Sequence, residues 1–439
     1  MNAATNSSPE CSMNPDRRLD LLCLFAVLNP LVVQAGFFFM PAGLPGGLSV
    51  PQAFQGTAFL IGLGFIIGSR WKPSPHTRRL AVFVGLAVVA SAIFLGKSLL
   101  ERGDITSVMR FRGDFVFYFK MVFWSSSWFL VAVLVRRVSD AARLLRAVSL
   151  GALLTSIIVL ICYLTGAGTI EVYAREGVRA SIGASGVSAK QTVPYLAACA
   201  FVVIYLTRGR RWVGGLIAAF VLVAATLVSY DRAVQVGLLA AGAWFLVWRF
   251  ILCRRRRSHS SEKAVILGAL IILIIFGIFG FDALRTRWTS DLAKNRPGSG
   301  RLGFYQAAVE RFAEGPAADV LLGVGYSGIR QTLLERCGMS VHTHSDLFDL
   351  MLGGGILGLV VYAAFFWALG GYFRGVPRGS PELALMGAVG CVYLVMGLIT
   401  GLIEATHANF CLGAILHCSH VLATTAKHDG HEEPATADD

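Results

Sequence analysis

The chain has 439 residues, of which 55% are hydrophobic and 15% charged, with a mean hydropathy of +0.64. Soluble domains carry about 25% charged residues, so the composition excludes a water-soluble globular protein and leaves room for about a dozen spans of roughly 20 residues each. The net charge of +13 has a topogenic reading, because Lys and Arg hold loops at the cytoplasmic face. No basic domain stands apart from the apolar segments, which argues against a nucleic-acid partner.

Apolar runs separated by polar or Pro/Gly-rich breaks predict spans over residues 20–40, 53–69, 80–97, 114–135, 147–165, 191–207, 213–229, 233–251, 264–283, 346–370, 383–403 and 408–424. The first follows Arg17 and Arg18 with no small-residue cleavage site behind it, so it reads as a span and not as a signal peptide. The first, sixth, seventh and twelfth runs are short or weak, which gives a range of 11 to 13 spans. Residues 1–19 and 425–439 are then polar tails around a membrane domain over 20–424. With the N-terminus inside, cytoplasmic segments hold 22 Lys and Arg against 8 in the short outer loops, which favours both termini in the cytoplasm. The run Arg254–Arg257 reads as a cytoplasmic anchor.

Residues 284–345 form one long outer loop between the ninth and tenth spans. Structureless loops of that length are uncommon unless functional or disordered. Within it, Arg301–Glu314 sets Leu302, Tyr305, Val309 and Phe312 on one helical face and ends at Gly315 and Pro316. A second helix is expected over Ile329–Arg336, stopped by Gly338. Such amphipathic helices suit a membrane surface or the roof of a cavity. The nine cysteines show no CxxC and no metal-ligand spacing, and only Cys337 lies well inside the long loop.

Candidate chemistry is sparse and sits at the outer ends of spans. His342 and His344 immediately precede the tenth span. A histidine there suits a general base near neutral pH. The pair also has the look of metal ligands, but the third and fourth ligands of a zinc site are missing from the sequence pattern. Arg232 follows Tyr230 and Asp231 in a turn of a few residues between two apolar spans. A guanidinium at such an edge is costly to bury, which leaves pairing with Asp231, snorkelling, or capture of an anion, and Arg grips phosphate bidentately. Arg175 and Arg179 lie in an earlier outer loop, and Arg301 opens the loop helix, where free backbone N–H groups add to its charge. These arginines together are suited to clamping a diphosphate. His407, with Glu404, is a further candidate near the outer end of the last hairpin. Two glycine patterns read as structural. Gly323, Gly325 and Gly328 match GxGxxG without a preceding strand, and Gly353–Gly355 suits close helix packing.

The run from His344 and Ser345 through Gly355 to Gly358 resembles the motif of the O-antigen ligase and O-antigen polymerase superfamily. Ser299, Gly300 and Arg301 before a helix, followed by Leu322–Gly325, resemble its loop signature, and Asp231–Ala233 and Arg179–Gly183 resemble its arginine motifs. The likeness covers roughly residues 175–365. Ser345 stands for a frequent Asn, Asp231 for a frequent Ser, and the Asn-Pro-Asn that often follows the first arginine motif is missing. The resemblance implies an all-α, polytopic membrane protein of GT-C-like architecture in the bacterial inner membrane, with its active site facing the periplasm. It implies a glycosyltransferase working without metal or other cofactor on an undecaprenyl-diphosphate-linked glycan. The acceptor is then a second glycan-lipid, either a lipid-linked repeat (polymerase, slightly favoured by the His-Ser-Asp form) or lipid A–core (ligase). On that analogy His344 acts on the acceptor hydroxyl, Arg179, Arg232 and Arg301 hold the diphosphate, and His342, Arg175 and Asp231 are accessory. A flippase or polysaccharide transporter is the non-enzyme alternative.

Overall fold

The structure is a computed structural model that describes residues 15–39, 50–67, 74–100, 108–165, 186–207, 212–228, 232–248, 300–403 and 405–429. The expected ninth span over 264–283, the anchor Arg254–Arg257, Arg175, Arg179, Asp231 and Glu404 lie outside the described residues. Every regular element among the described residues is helical. The apolar runs fold as α1 (Pro15–Phe39), α2 (Val50–Ile67), α3 (Pro75–Leu100), α4 (Val108–Leu134), α5 (Val138–Thr165), α6 (Gly186–Leu206), α7 (Trp212–Val228) and α8 (Arg232–Val247). Residues 300–345 contain α9 (Arg301–Glu314), α10 (Ala317–Leu322) and α11 (Gly325–Cys337), and the chain continues as α12 (Asp346–Phe373), α13 (Pro381–Ile399) and α14 (Thr406–Asp429). Helices suit a membrane because each satisfies its own backbone hydrogen bonds. Five are long and apolar enough to cross one: Pro75–Leu100, Gly113–Leu134, Val138–Cys162, Asp346–Phe373 and Pro381–Ile399.

Contacts along the helices fix their relative directions. The imidazole of His76, near the start of α3, lies 3.9 Å from the ring of Tyr372 at the end of α12, so these two helices are antiparallel. The Trp244 indole donates to the Ala384 carbonyl at 3.1 Å while Gly237 abuts Val392, which makes α8 and α13 antiparallel as well. Tyr205 at the end of α6 donates to Glu382 at the start of α13, 2.6 Å away. Asp20 and Arg143 pair at 2.5 Å where α1 and α5 begin. Small residues permit these close crossings, as membrane helix packing requires. At the centre, Phe365 is ringed by Trp124, Trp128 and Tyr393 with centroids 4.8, 5.2 and 5.1 Å away.

Helices α9, α10 and α11 cap the end of the bundle where α12 starts. Arg301–Glu314 folds as expected, stopped by Gly315 and Pro316. Phe304, Ala307 and Ala308 are buried against the bundle, while Leu302 and Val309 on the expected apolar face are exposed. The second helix starts at Gly325, four residues before the expected Ile329. Its end is a glycine cap, with Gly338 at φ 69 and Met339 N–H reaching the Leu333 carbonyl at 3.3 Å. The glycine patterns pack against each other. A Cβ on Gly323 would sit 2.2 Å from the Gly353 backbone, and one on Gly355 (φ 62) would sit 2.5 Å from the Val320 carbonyl oxygen. The Val324 N–H donates to the Leu352 carbonyl at 2.9 Å across this seam, so the structural reading of both patterns is correct.

Two polar clamps tie the cap down as well. Asp319 receives Lys97 of α3 at 2.9 Å and Arg311 of α9 at 2.7 Å. Asp114 of α4 accepts from the Ser98 hydroxyl at 2.5 Å and from the Ser327 backbone N–H at 2.6 Å.

Candidate functional site

His344 occupies a left-handed turn (φ 61), the single non-glycine residue among those described with positive φ. Such backbone costs about 1 kcal/mol or more for a residue with a Cβ and persists only when neighbours over-determine it. Asp349, one turn into α12, does so from below. Its carboxylate accepts from the Thr343 N–H at 2.9 Å and the Thr343 hydroxyl at 2.8 Å, while its own N–H donates to the Ser345 carbonyl at 2.8 Å. Asp346 does so from the side, accepting from the backbone N–H groups of Leu402 and Ile403 at 2.8 and 2.9 Å. Both carboxylates are buried and lie in the first turn of α12, where the helix dipole favours negative charge. The turn before α12 is thus bolted to its own helix and to the α13–α14 connection.

His342 is half-buried two residues earlier. Its Nδ1 lies 2.5 Å from the Tyr326 hydroxyl of α11, and Tyr326 stacks on Phe117 of α4 with centroids 4.3 Å apart. The rings of His342 and His344 are 5.7 Å apart and perpendicular. Arg301 reaches the same end of the bundle, donating to the Ile399 carbonyl at 2.7 Å where α13 stops. Tyr305 of α9 stacks on Phe348 of α12 with centroids 4.4 Å apart. Burial pushes the Tyr305 hydroxyl above its ordinary pKa; Arg301 opposes the shift and Asp349 adds to it.

Of the arginines expected to meet a diphosphate, Arg301 is described in full and Arg232 through its backbone. Arg232 is the first residue of α8, and its side chain lies outside the described residues. Because Gly237 packs at Val392 in the antiparallel α8–α13 pair, the 1.5 Å rise per residue brings the start of α8 to the level of the α13 C-terminus. That is the end at which Arg301 binds Ile399. Arg175, Arg179 and Asp231 lie outside the described residues.

His407 does not face an open cavity with these groups. It is fully buried among helices, its Nδ1 2.8 Å from the Asn29 amide, and Gln55 links Asn29 to the Thr406 hydroxyl at 3.1 and 2.6 Å. Sequence reasoning missed Asp346, Asp349, Thr343 and Tyr326. The two aspartates carry a readable signal, acid in the first turn of a helix; Tyr326 carries none, since its contact with His342 is made only by the folded cap. Chemically, the corner sets a half-buried imidazole on a strained turn, close to a second imidazole and at the same end of the bundle as a guanidinium. Those are the parts of a proton acceptor beside an anion holder. No family model, curated protein or solved structure matches this chain.

Proposed function

We propose that the chain is a metal-independent membrane glycosyltransferase of the O-antigen ligase and polymerase kind, acting in surface polysaccharide synthesis on the periplasmic side of the inner membrane. The observation that carries the reading is the conformation of His344, a positive-φ residue held by two buried carboxylates at the mouth of a helix. Backbone strain fixed so firmly is characteristic of residues that act on a ligand. In the reaction, His344 takes the proton of an acceptor hydroxyl while the oxygen attacks the anomeric carbon of the undecaprenyl-diphosphate-linked glycan. The bond from that carbon to the diphosphate breaks, and undecaprenyl diphosphate leaves with the electron pair. Arg179, Arg232 and Arg301 hold the departing charge, and His342 accompanies His344. Fixed cations facing developing charge lower such a barrier by about 3 kcal/mol per contact.

The deciding experiment is deletion of the gene in its host, followed by gel analysis of lipopolysaccharide and secreted polysaccharide, with complementation by wild type and His344→Ala. Core bearing a single repeat identifies a polymerase, the form slightly favoured here. Bare core with lipid-linked polymer accumulating identifies a ligase. Loss of secreted polysaccharide alone assigns the exopolysaccharide as product. Restoration of the normal pattern by His344→Ala removes the catalytic assignment and favours a transporter of lipid-linked glycan.

A further inference from the structure

At the end of the bundle opposite His344, a cavity of about 280 Å³ opens between the start of α3, the α4–α5 connection and the last turns of α14. His76, His417 and His420 line it, with ring centroids of His417 and His420 at 6.0 and 5.1 Å from that of His76. Two of these rings have their tautomers set by backbone carbonyls. His417 Nε2 lies 2.8 Å from the Val135 carbonyl and His420 Nδ1 lies 2.7 Å from the Tyr372 carbonyl, so each of those nitrogens carries the proton. In the neutral ring, His417 Nδ1 and His420 Nε2 are therefore bare acceptors. His417 is only 4% exposed and its Nδ1 is without a partner, as are both nitrogens of His76.

The hydroxyls around the cavity are oriented the same way. Thr424 donates to the His420 carbonyl at 2.8 Å, Thr425 to the Val421 carbonyl at 2.9 Å, and Thr77 to the Ser74 carbonyl at 2.9 Å. Their hydrogens are spent within the protein; the Thr424 and Thr425 oxygens remain as acceptors, and the Thr77 oxygen already accepts from the Ser74 hydroxyl at 2.9 Å. Among the described residues, no carboxylate lines the cavity. Arg136 stands at its exposed edge, with Nε bound to the Val133 carbonyl at 2.9 Å and its terminal amino groups left to donate.

The wall is thus rich in neutral acceptors within and has a guanidinium at the rim. Among the described residues, no three His, Cys, Asp or Glu side chains converge on a point that would hold a metal ion. Zinc–imidazole bonds are about 2.0–2.1 Å long, whereas an N–H donor reaches an acceptor at about 2.9 Å. A wider set of acceptors therefore suits a group that brings its own N–H spokes. We propose that this cavity binds a primary ammonium joined to a phosphate, with the ammonium on the histidines and the phosphate on Arg136. The position beside the ends of long apolar helices makes the ligand the ethanolamine-phosphate headgroup of a bilayer lipid.

The test uses the full chain, purified and reconstituted in nanodiscs containing equal amounts of phosphatidylethanolamine and phosphatidylcholine. Lipid retained on the protein is read by native mass spectrometry. The expected result is about fivefold enrichment of phosphatidylethanolamine, falling to parity in Arg136→Gln and in His420→Phe and unchanged in His344→Ala. Arg136 is exposed, so its variant keeps the test sound if His420→Phe fails to fold. A parallel arm adds O-phosphoethanolamine to lipid-free protein in detergent. A rise in Tm there, without lipid preference, identifies a soluble ester as the source of the same chemistry. Equal retention of the two lipids together with no Tm response to the ester overturns the proposal. So does a Tm rise with zinc that His76→Phe abolishes, which would make the cavity a metal site.

Discussion

His344 carries a cost that its neighbours bear, and the cost separates its structural from its chemical role. Glycine adopts positive φ without penalty, so His344→Gly should raise stability by up to about 1 kcal/mol, seen as a higher Tm in detergent. The same variant should lower glycosyl transfer by on the order of 10²–10⁴-fold, as removal of a general base does. A His344→Gly protein that is stabilised and fully active would remove the histidine from the mechanism. Asp346 acts on the fold instead: Asp346→Asn weakens two buried bonds to Leu402 and Ile403, at a cost of about 1.5–3 kcal/mol that thermal unfolding should register. Tyr305 makes the corner sensitive to alkali. Its pKa is raised by burial, so the neutral form is favoured on folding. That stabilisation is whole below the ordinary tyrosine value of about 10 and is lost as pH rises through the raised value. Tyr305→Phe should flatten the alkaline fall in Tm; an unchanged fall would assign it to other groups.

Between helices, glycines decide how closely axes approach. A Cβ at Gly387 would lie 2.0 Å from the Trp244 indole, so Gly387→Ala should cost about 1–3 kcal/mol through the α8–α13 contact. Gly355→Ala combines a clash with the α10 backbone and a positive φ, and should lower the yield of folded protein more than Gly387→Ala does. Hydropathy located the described apolar helices to within a few residues at most ends, because a long apolar run in a polar frame has one economical structure. It missed the early start of α5 at Val138 and of α3 at Pro75, where the first turns carry Asp140, Arg143, Arg78 and Arg79. A helix emerging from an apolar slab keeps its hydrogen-bond pattern after its side chains turn polar, so composition marks the slab and not the helix. Helix α9 is apolar on more than one side, and on its buried side small Ala307 and Ala308 permit close approach.

For the molecule as a whole, the helix directions put the start of α1 and the end of α14 at the end of the bundle opposite His344, which gives the topology a direct check. Alkaline phosphatase fused after residue 320 should be active and fused after residue 257 inactive; the reverse pattern would put the His344 corner on the cytoplasmic side. The corner was legible in sequence at its histidines and at Arg301, because rare polar residues stand out at span ends. Asp346 acquires its role from Ile403, 57 positions away in the chain, and Tyr326 from His342 and from Phe117 of α4. One feature bears on supply. The cap is fastened to α3 through Lys97, to α4 through Asp114 and to α12 through the glycine seam, so it has the character of a fixed roof. On the proposed function, a lipid-borne donor would reach the corner sideways, by diffusion in two dimensions. Turnover should follow the donor's density within the leaflet, and thinning the donor with inert lipid at constant bulk amount should slow the reaction in proportion.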